Sequence, residues 1–520
     1  MIHWAQSRCN RNQVVLFAPT LDDSVAADHP VRLFEEVLLG LDLSEWEARY
    51  ERVDGQPPIH PRVLAGVILY GMSLGIRSSR KLEDATANRV DFMWLCSGRV
   101  IDHATLAGFR VKFGPQIKAL FRQVGKVAIG MGLANLNQIA LDGTAKRSSN
   151  SRYKTVRRAS LEEKIAALDQ QVNEMMSQWT QQDQQDQQLF GESSATKLPR
   201  ELKDLNKRQQ RLAEAMKKIG QMEARQAGRK DVSKKGPAVP ITDPDSSVSK
   251  NKTGGFAPNY TMVLGCEGQN GFIVDAQLQG CSDEPSSVMP AVREIEANFG
   301  QKPAELLADS NFNTGANLKS LGDQQIQPLM PPRQEPKENP APRADPTTPL
   351  AAEQQQKLPV NPQSKVLDKS AFIYDSAQDH YHCPMGKKLS FAGTSGYVRD
   401  SIKGTYRIYE AQAGACAGCA LADKCLPGRS SQRRVMRDEY EPLRQQMSVR
   451  MHSEPGKAKY KRRSFLAETP FAVMNTTMNF HQFLLRGIEK AGVELFWTCA
   501  AMNLSKLVRL IRGQRTLQRA

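Results

Sequence analysis

The chain has 520 residues, 40% hydrophobic and 24% charged, which is too long for one core and predicts about two to four domains. Lys and Arg outnumber Asp and Glu by 71 to 55, a formal charge of +16, and a field of that sign gathers polyanions, nucleic acid first. No stretch has the unbroken apolar length that crosses a bilayer, and the start MIHWAQSRCNRNQVVLF lacks the pattern of a secretory signal, so a soluble cytoplasmic protein with reduced cysteines is expected.

Residues 1–135 read as helical. Val31, Phe34, Val37 and Leu38 recur at helical spacing, PRVLAGVILYGMSL from Pro61 makes a more apolar helix, and a third opens near Arg77 with Ser78 or Ser79 as N-cap. A fourth starts at His103 and carries Phe109, Arg110, Lys112 and Phe113. Basic residues near helix starts suit a DNA-binding domain, and equally a bundle with a solvated basic face. At Asn137 the character changes. NQIALDGT is short and apolar and reads as a buried strand ending at Asp142, followed by a flexible basic loop with Arg147, Arg152, Lys154, Arg157 and Arg158.

Two heptad runs come next. Leu161, Ile165, Leu168, Val172, Met175 and Trp179 form one seam, and Leu202, Leu205, Gln209, Leu212, Met216 and Ile219 the other, with a glutamine-rich breaker between them. An antiparallel helical hairpin is expected. Strands return in NYTMVLGCEGQNGFIVDAQLQG, a hairpin around EGQNG. SSVMPAVREIEANFG is an amphipathic helix, AELLADSNF a buried strand ending at Asp309, and IQPLMPP a further short strand. Proline, glutamine and charge then dominate to about Lys365, a linker composition. A cysteine-bearing segment and terminal helices complete the chain.

Cutting or joining DNA needs an activated oxygen nucleophile and a stabilised leaving oxygen. Two metal ions about 4 Å apart supply both, held by hard oxygen ligands. Asp142, Asp309 and Glu468 are candidates for that role. An aspartate at a strand end is more commonly a turn-former, so the surrounding words decide. Cys416, Cys419 and Cys425 form C-x2-C-x5-C with Cys383 upstream, a set that suits either a tetrahedral structural zinc or ordinary reduced thiols. His380 and His382 are substitute ligands. Cys9, Cys96, Cys266, Cys281 and Cys499 show no ligand spacing. KAKYKRR, from Lys457 to Arg463, is basic and immediately precedes Glu468. No GxxxxGK[ST] loop occurs, which argues against ATP-driven action.

The blocks RNQVVLFAPTLDDSV, DHPVRLFEEV, GIRSSRKLEDA, HATLAGFRVKF, LDGTAKRSSNS, TDPDSSVSKNKTGGFAPNY, LADSNFNTGANL and AETPFAVMNTTMNFHQFLLRGIEKAGVELFWTCAAMNLSKL resemble, in that order, those of DDE transposases of bacterial insertion sequences, in the group numbered 1182. The resemblance implies an α/β chain with a ribonuclease H-like core whose strands lie near 137–142, 260–278 and 304–309. Asp142, Asp309 and Glu468 would be the catalytic residues and hold two Mg²⁺ or Mn²⁺. One ion would activate water and then the freed 3′-hydroxyl, the other would stabilise the departing 3′ oxygen.

The implied division is a helical N-terminal DNA-binding domain (1–135), core parts at 136–158 and 227–330, a helical-hairpin insertion (159–226), a Pro-rich linker (331–370), a Cys-bearing insertion that suits zinc (371–438) and a C-terminal helical part of the core (439–520). Arg77, Arg80, Arg110, Arg147, Lys459, Arg462 and Arg463 are the expected contacts to double-stranded DNA at element ends and target. A homo-oligomer in the synaptic complex and a place on the bacterial nucleoid follow from the same resemblance. Two positions depart from the family: Asn475 stands where Lys or Arg is usual and Thr469 where His or Pro is. They keep open an inactive DNA-binding remnant, and a nuclease that cuts without joining is the other alternative.

Overall fold

A computed structural model describes residues 20–50, 57–151, 153–190, 200–226, 236–251, 254–332, 345–361, 363–399, 402–428 and 430–519. Cys9, Arg152, the Leu202 side chain, the RNQVVLFAP stretch and residues 333–344 of the Pro-rich segment lie outside this description.

The N-terminal part is all helical, as its periodicity predicts. Helices span Pro30–Leu39, Ser44–Glu47, Pro61–Ser73, Ser79–Asn88, Val90–Leu95, His103–Lys112 and Gly114–Gly130. Two start with the same device: His29 and His60 each accept the backbone N–H two residues on, and a proline fills the first helical position, where no donor is needed. Ser78 occupies its expected N-cap position, but its side chain makes no capping bond. Asp102 does cap, accepting from the N–H of Ala104 and Thr105.

These helices pack on the long C-terminal helix Ile488–Arg519. Trp46 stacks on Phe113 at 5.2 Å and meets Trp497 edge-on at 5.8 Å, so the two ends of the chain share one core. Burial of such rings dominates core energetics.

The central sheet is built from β1 (Gln138–Arg147), β4 (Ser247–Lys250), β5 (Phe256–Glu267), β6 (Ile273–Gln279), β7 (Glu305–Leu307) and β8 (Gln327–Leu329). β2 (Thr155–Val156) and β3 (Val239–Pro240) form a separate two-stranded ladder. The main order is β4-β5-β1-β7-β8, and β6 pairs with β5 on the β4 side. β5 runs antiparallel to β1 and β6, while β1, β7 and β8 are mutually parallel. The β5–β6 hairpin turns where EGQNG predicts.

β1 differs from expectation. It does not end at Asp142 but continues to Arg147, because the twelve-residue β5 offers partners down to Asn259, with Asp142 opposite Leu264. Asp-Gly is therefore mid-strand here, and Lys146, expected on a loop, is buried.

The heptad runs form helices Arg158–Phe190 and Arg200–Gln226. Arg158 bonds Glu223 and Gln209 bonds Asp169, so the two run antiparallel. Leu161, Leu168, Leu212, Ala215 and Ile219 are buried in their seam.

A second sheet, ordered β13-β12-β11-β10-β9, comprises β9 (Ile373–Asp375), β10 (His380–His382), β11 (Lys388–Arg399), β12 (Ile402–Ala411) and β13 (Arg434–Arg437). Its core holds Phe372, Tyr381, Leu389, Tyr409 and Val435. Helices Glu441–His452 and Glu454–Arg463 return the chain to the first sheet, followed by a π-turn, Ser464–Glu468, and helix Thr469–Thr476.

Candidate active site

Strand geometry brings Asp142 and Asp309 together. β1 and β7 pair in parallel with Ile139 beside Leu306 and Ala140 beside Leu307. Asp142 lies two residues past Ala140 on β1 and Asp309 two residues past Leu307, where β7 ends, and the charges of both reach Tyr460. Alternation of side chains along β1 puts Asp142 on the face that carries Ala140 and Leu307. That face packs against Leu466 and Ala467 of the π-turn, whereas Leu141, Leu306 and Ala308 fill the core behind the sheet.

Glu468 closes the same π-turn. A π-bulge inserts one residue and re-aims the side chains that follow, a feature frequent at functional sites. Arg463 joins the two elements: its Nη2 donates to Asp142 Oδ1 at 2.9 Å, and its Nη1 lies 3.8 Å from Glu468 Oε1. Asp142 and Arg463 are both buried, while the Glu468 side chain is 60% exposed. Tyr460 stands beside this cluster. Burial pushes its phenol up, and the charges of Asp309 and Asp142 push the same way against that of Arg463. One oxygen of Asp309 accepts the N–H of Asn311.

Among the described residues, the sets whose donor atoms all fall within 4.8 Å are Asp375–His380–His382 and Glu83–Asp102–His103. The three carboxylates are spaced more widely, with the Arg463 guanidinium between two of them. Asn475, seven residues after Glu468, accepts from Lys146 Nζ at 2.5 Å, so the basic side chain at this place comes from β1. Nothing in a strand-plus-loop reading of LDGTAKR pointed to that.

The expected DNA contacts divide into two groups. Arg77 and Arg110 are buried, at 7% and 5% exposure, and cannot meet DNA. Arg77 donates to Glu494 at 2.5 Å and to the carbonyls of Asn479 and Gln482, and Arg110 donates to the Arg77 carbonyl with Glu494 3.9 Å away. They brace the N-terminal helices on the C-terminal one. Arg80, Arg147, Lys459 and Arg462 are exposed. Lys459 pairs with Glu305, and Arg462 donates to the Gly268 carbonyl. Arg463 faces Asp142, not solvent.

Cys383, Cys416, Cys419 and Cys425 line one cavity of about 30 Å³. Burial pushes the Cys425 thiol up to about 11, while the Arg433 guanidinium pulls it down. His380 and His382, expected as substitute ligands, are not in this lining, because strand alternation turns them away from the face that carries Tyr381. Cys96, Cys266 and Cys499 are buried thiols and Cys281 is half-buried.

Two family models match the chain. One, described as Transposase DDE domain, covers residues 382–508, and the other, described as Transposase domain (DUF772), covers residues 19–112. Glu468 lies inside the first match, and Asp142 and Asp309 lie outside both. No curated protein matches. Among the described residues no helix is long and apolar enough to cross a membrane.

Proposed function

We propose that this chain, which carries the two matched domains of a DDE transposase of bacterial insertion sequences, cuts and joins DNA at element ends through Asp142, Asp309 and Glu468. The observations that support the reading are the parallel pairing of β1, which carries Asp142, with β7, which leads into Asp309, and the tie of Glu468 to Asp142 through Arg463. The strand order, two antiparallel steps on one side of β1 and two parallel steps on the other, supports a ribonuclease H-like core. The helical pair and the second sheet are then insertions in it, and residues 1–135 its DNA-binding partner.

Three carboxylates, two of them beside the Arg463 guanidinium, are hard oxygen donors of the kind that suits Mg²⁺ or Mn²⁺. When bound, two such ions supply activation of the attacking oxygen and stabilisation of the departing one. The protein's own part is placement. β1 and β7 fix two carboxylates rigidly, and the π-turn carries the third on the solvent side, where DNA arrives. Exposed Arg80, Arg147, Lys461 and Arg462 supply phosphate contacts that hold the duplex. The cysteine cavity, lined by Cys383, Cys416, Cys419 and Cys425, is read as a structural zinc site.

The test is a Mn²⁺-dependent assay on element-end DNA beside a gel shift. Asp142→Asn, Asp309→Asn and Glu468→Gln keep shape and remove one charge. Each is expected to lower cleavage by at least about a hundredfold, the scale of losing a group that stabilises transition-state charge, with DNA binding retained. Cleavage at the wild-type rate by Asp309→Asn would overturn the assignment. Cleavage without strand transfer by the unaltered chain would reduce the reading to a nuclease.

A further inference from the structure

The second sheet carries a donor cluster that the transposase reading leaves unused. His380 and His382 alternate on β10, so their rings leave one face of the strand. Asp375 on β9 is paired across the antiparallel ladder with His380, and directly opposed residues project to the same face. Tyr374 and Tyr381, the intervening pair, pack with tilted rings 4.9 Å apart on the reverse side. The hairpin thus sorts aromatic groups to one side and metal-ligating groups to the other.

The ligating groups converge. One donor atom from each of Asp375, His380 and His382 lies within 4.8 Å of the other two, and the two Nε2 atoms stand 2.8 Å apart. Both rings are buried, with His380 2% exposed and His382 9%. Two imidazolium ions cannot face each other at that distance, so one ring at least is neutral and offers a lone pair. The Nδ1 of His380 is buried and has no hydrogen-bond partner, which costs about 1–3 kcal/mol for an unsatisfied polar atom. Asp375 uses Oδ1 to accept the N–H of Ala377 and Gln378, which fixes its carboxylate at the turn. Asp345, held mainly by Thr348 and Thr347, also feels the charge of His382.

We propose that Asp375, His380 and His382 form a binding site for one divalent transition-metal ion, Zn²⁺, separate from the carboxylate site and from the cysteine cavity. Two imidazoles and one carboxylate suit Zn²⁺, whereas Mg²⁺ takes oxygen ligands in an octahedron. Metal–nitrogen bonds of roughly 2.0–2.1 Å in a tetrahedron need the nitrogens about 3.3 Å apart, so the rings open only slightly. The ion would tie β9 to β10 at the edge of the sheet, where β9 has one strand neighbour.

The experiment is a Co²⁺ titration of the full chain carrying Cys416→Ser, Cys419→Ser, Asp142→Asn and Asp309→Asn, so that neither the cysteine cavity nor the carboxylate site contributes a complete ligand set. Uptake of about one ion is expected, with ligand-field bands and no thiolate-to-metal charge-transfer band. Adding His380→Gln and His382→Gln should abolish that uptake. Should the double histidine variant fail to fold by circular dichroism, Asp375→Asn, which keeps the turn acceptor, is titrated instead. It should bind at least roughly tenfold more weakly, since even outer-shell partners cost that much. Unchanged uptake in either histidine or Asp375 variants, or no uptake once the two cysteines and two aspartates are replaced, overturns the proposal.

Discussion

Arg463 is the residue on which the candidate site turns. Its guanidinium is buried between Asp142 and Glu468, so it and a metal ion compete for the same carboxylates. Removing it leaves Asp142 buried without its counter-charge, which typically costs about 3–5 kcal/mol. Arg463→Gln should therefore unfold at lower urea without divalent ions, and millimolar Mn²⁺ should stabilise it more than it stabilises the unaltered chain. A ligand that binds only the folded state stabilises by the logarithm of its concentration over Kd, so the comparison reads the ratio of metal affinities. Equal Mn²⁺ stabilisation of the two proteins would show that Arg463 does not compete. Arg462, one residue earlier and exposed, has a different part. Arg462→Ala should weaken DNA binding and flatten its salt dependence by about one phosphate's worth, leaving unfolding unchanged within about 0.5 kcal/mol.

Elements separate what pattern reveals from what only packing reveals. The β5–β6 hairpin, the amphipathic helix Val288–Phe299 with Gly300 in the left-handed region at its end, and the two heptad helices were legible because a local period dictates each. The run of β1 past Asp142 was not. An Asp-Gly pair looks like a turn in one strand, and only the length of its partner β5 keeps it extended. Arg77 and Arg110 were misread for a related reason. Arginines on or just before a short helix look like phosphate contacts until the fold brings Glu494, more than 380 residues later in the chain, underneath them. Glu494 also accepts the N–H of Leu484 and Leu485, and is fully buried. Glu494→Gln removes the one charge that both arginines share, and a loss of about 3–5 kcal/mol is expected, read as a lower urea midpoint with unchanged slope. A loss under about 1 kcal/mol would mean that the aromatic packing of Trp46 and Trp497 alone holds the ends of the chain together. The proposed carboxylate triad was read from the words around its three residues. The π-turn that carries Glu468 was not, since nothing in SFLAE separates a π-turn from an α-helix.

At the scale of the whole molecule, stability should depend on a carboxyl that no partner charges. Asp275 lies on β6, buried at 2% exposure. Burial pushes its carboxyl up to about 7, with the hydrogen bond from Gln277 pulling against it and the charge of Glu294 adding to it. The folded value therefore stands above the ordinary 3.8, and the folded chain holds a proton that the unfolded chain releases. That contribution is fully present below about pH 3.8, is lost progressively as pH rises toward 7, and is flat above. Each unit of separation is worth about 1.4 kcal/mol, so the whole effect is about 4 kcal/mol. Asp22, held low by the Trp94 indole N–H and then by Arg32, and Asp91, held low by Arg89 against its burial, give the opposite slope, which hides the effect in a single pH profile. The difference between proteins exposes it. Asp275→Asn places a neutral amide where the acid is forced to be neutral, so the variant should gain on the unaltered chain steadily between about pH 4 and pH 7 and hold that lead to pH 9. Urea denaturation at half-unit pH steps measures it. A difference independent of pH would mean that Asp275 ionises freely behind the sheet, and that the interior next to β5 is wetter than its packing implies.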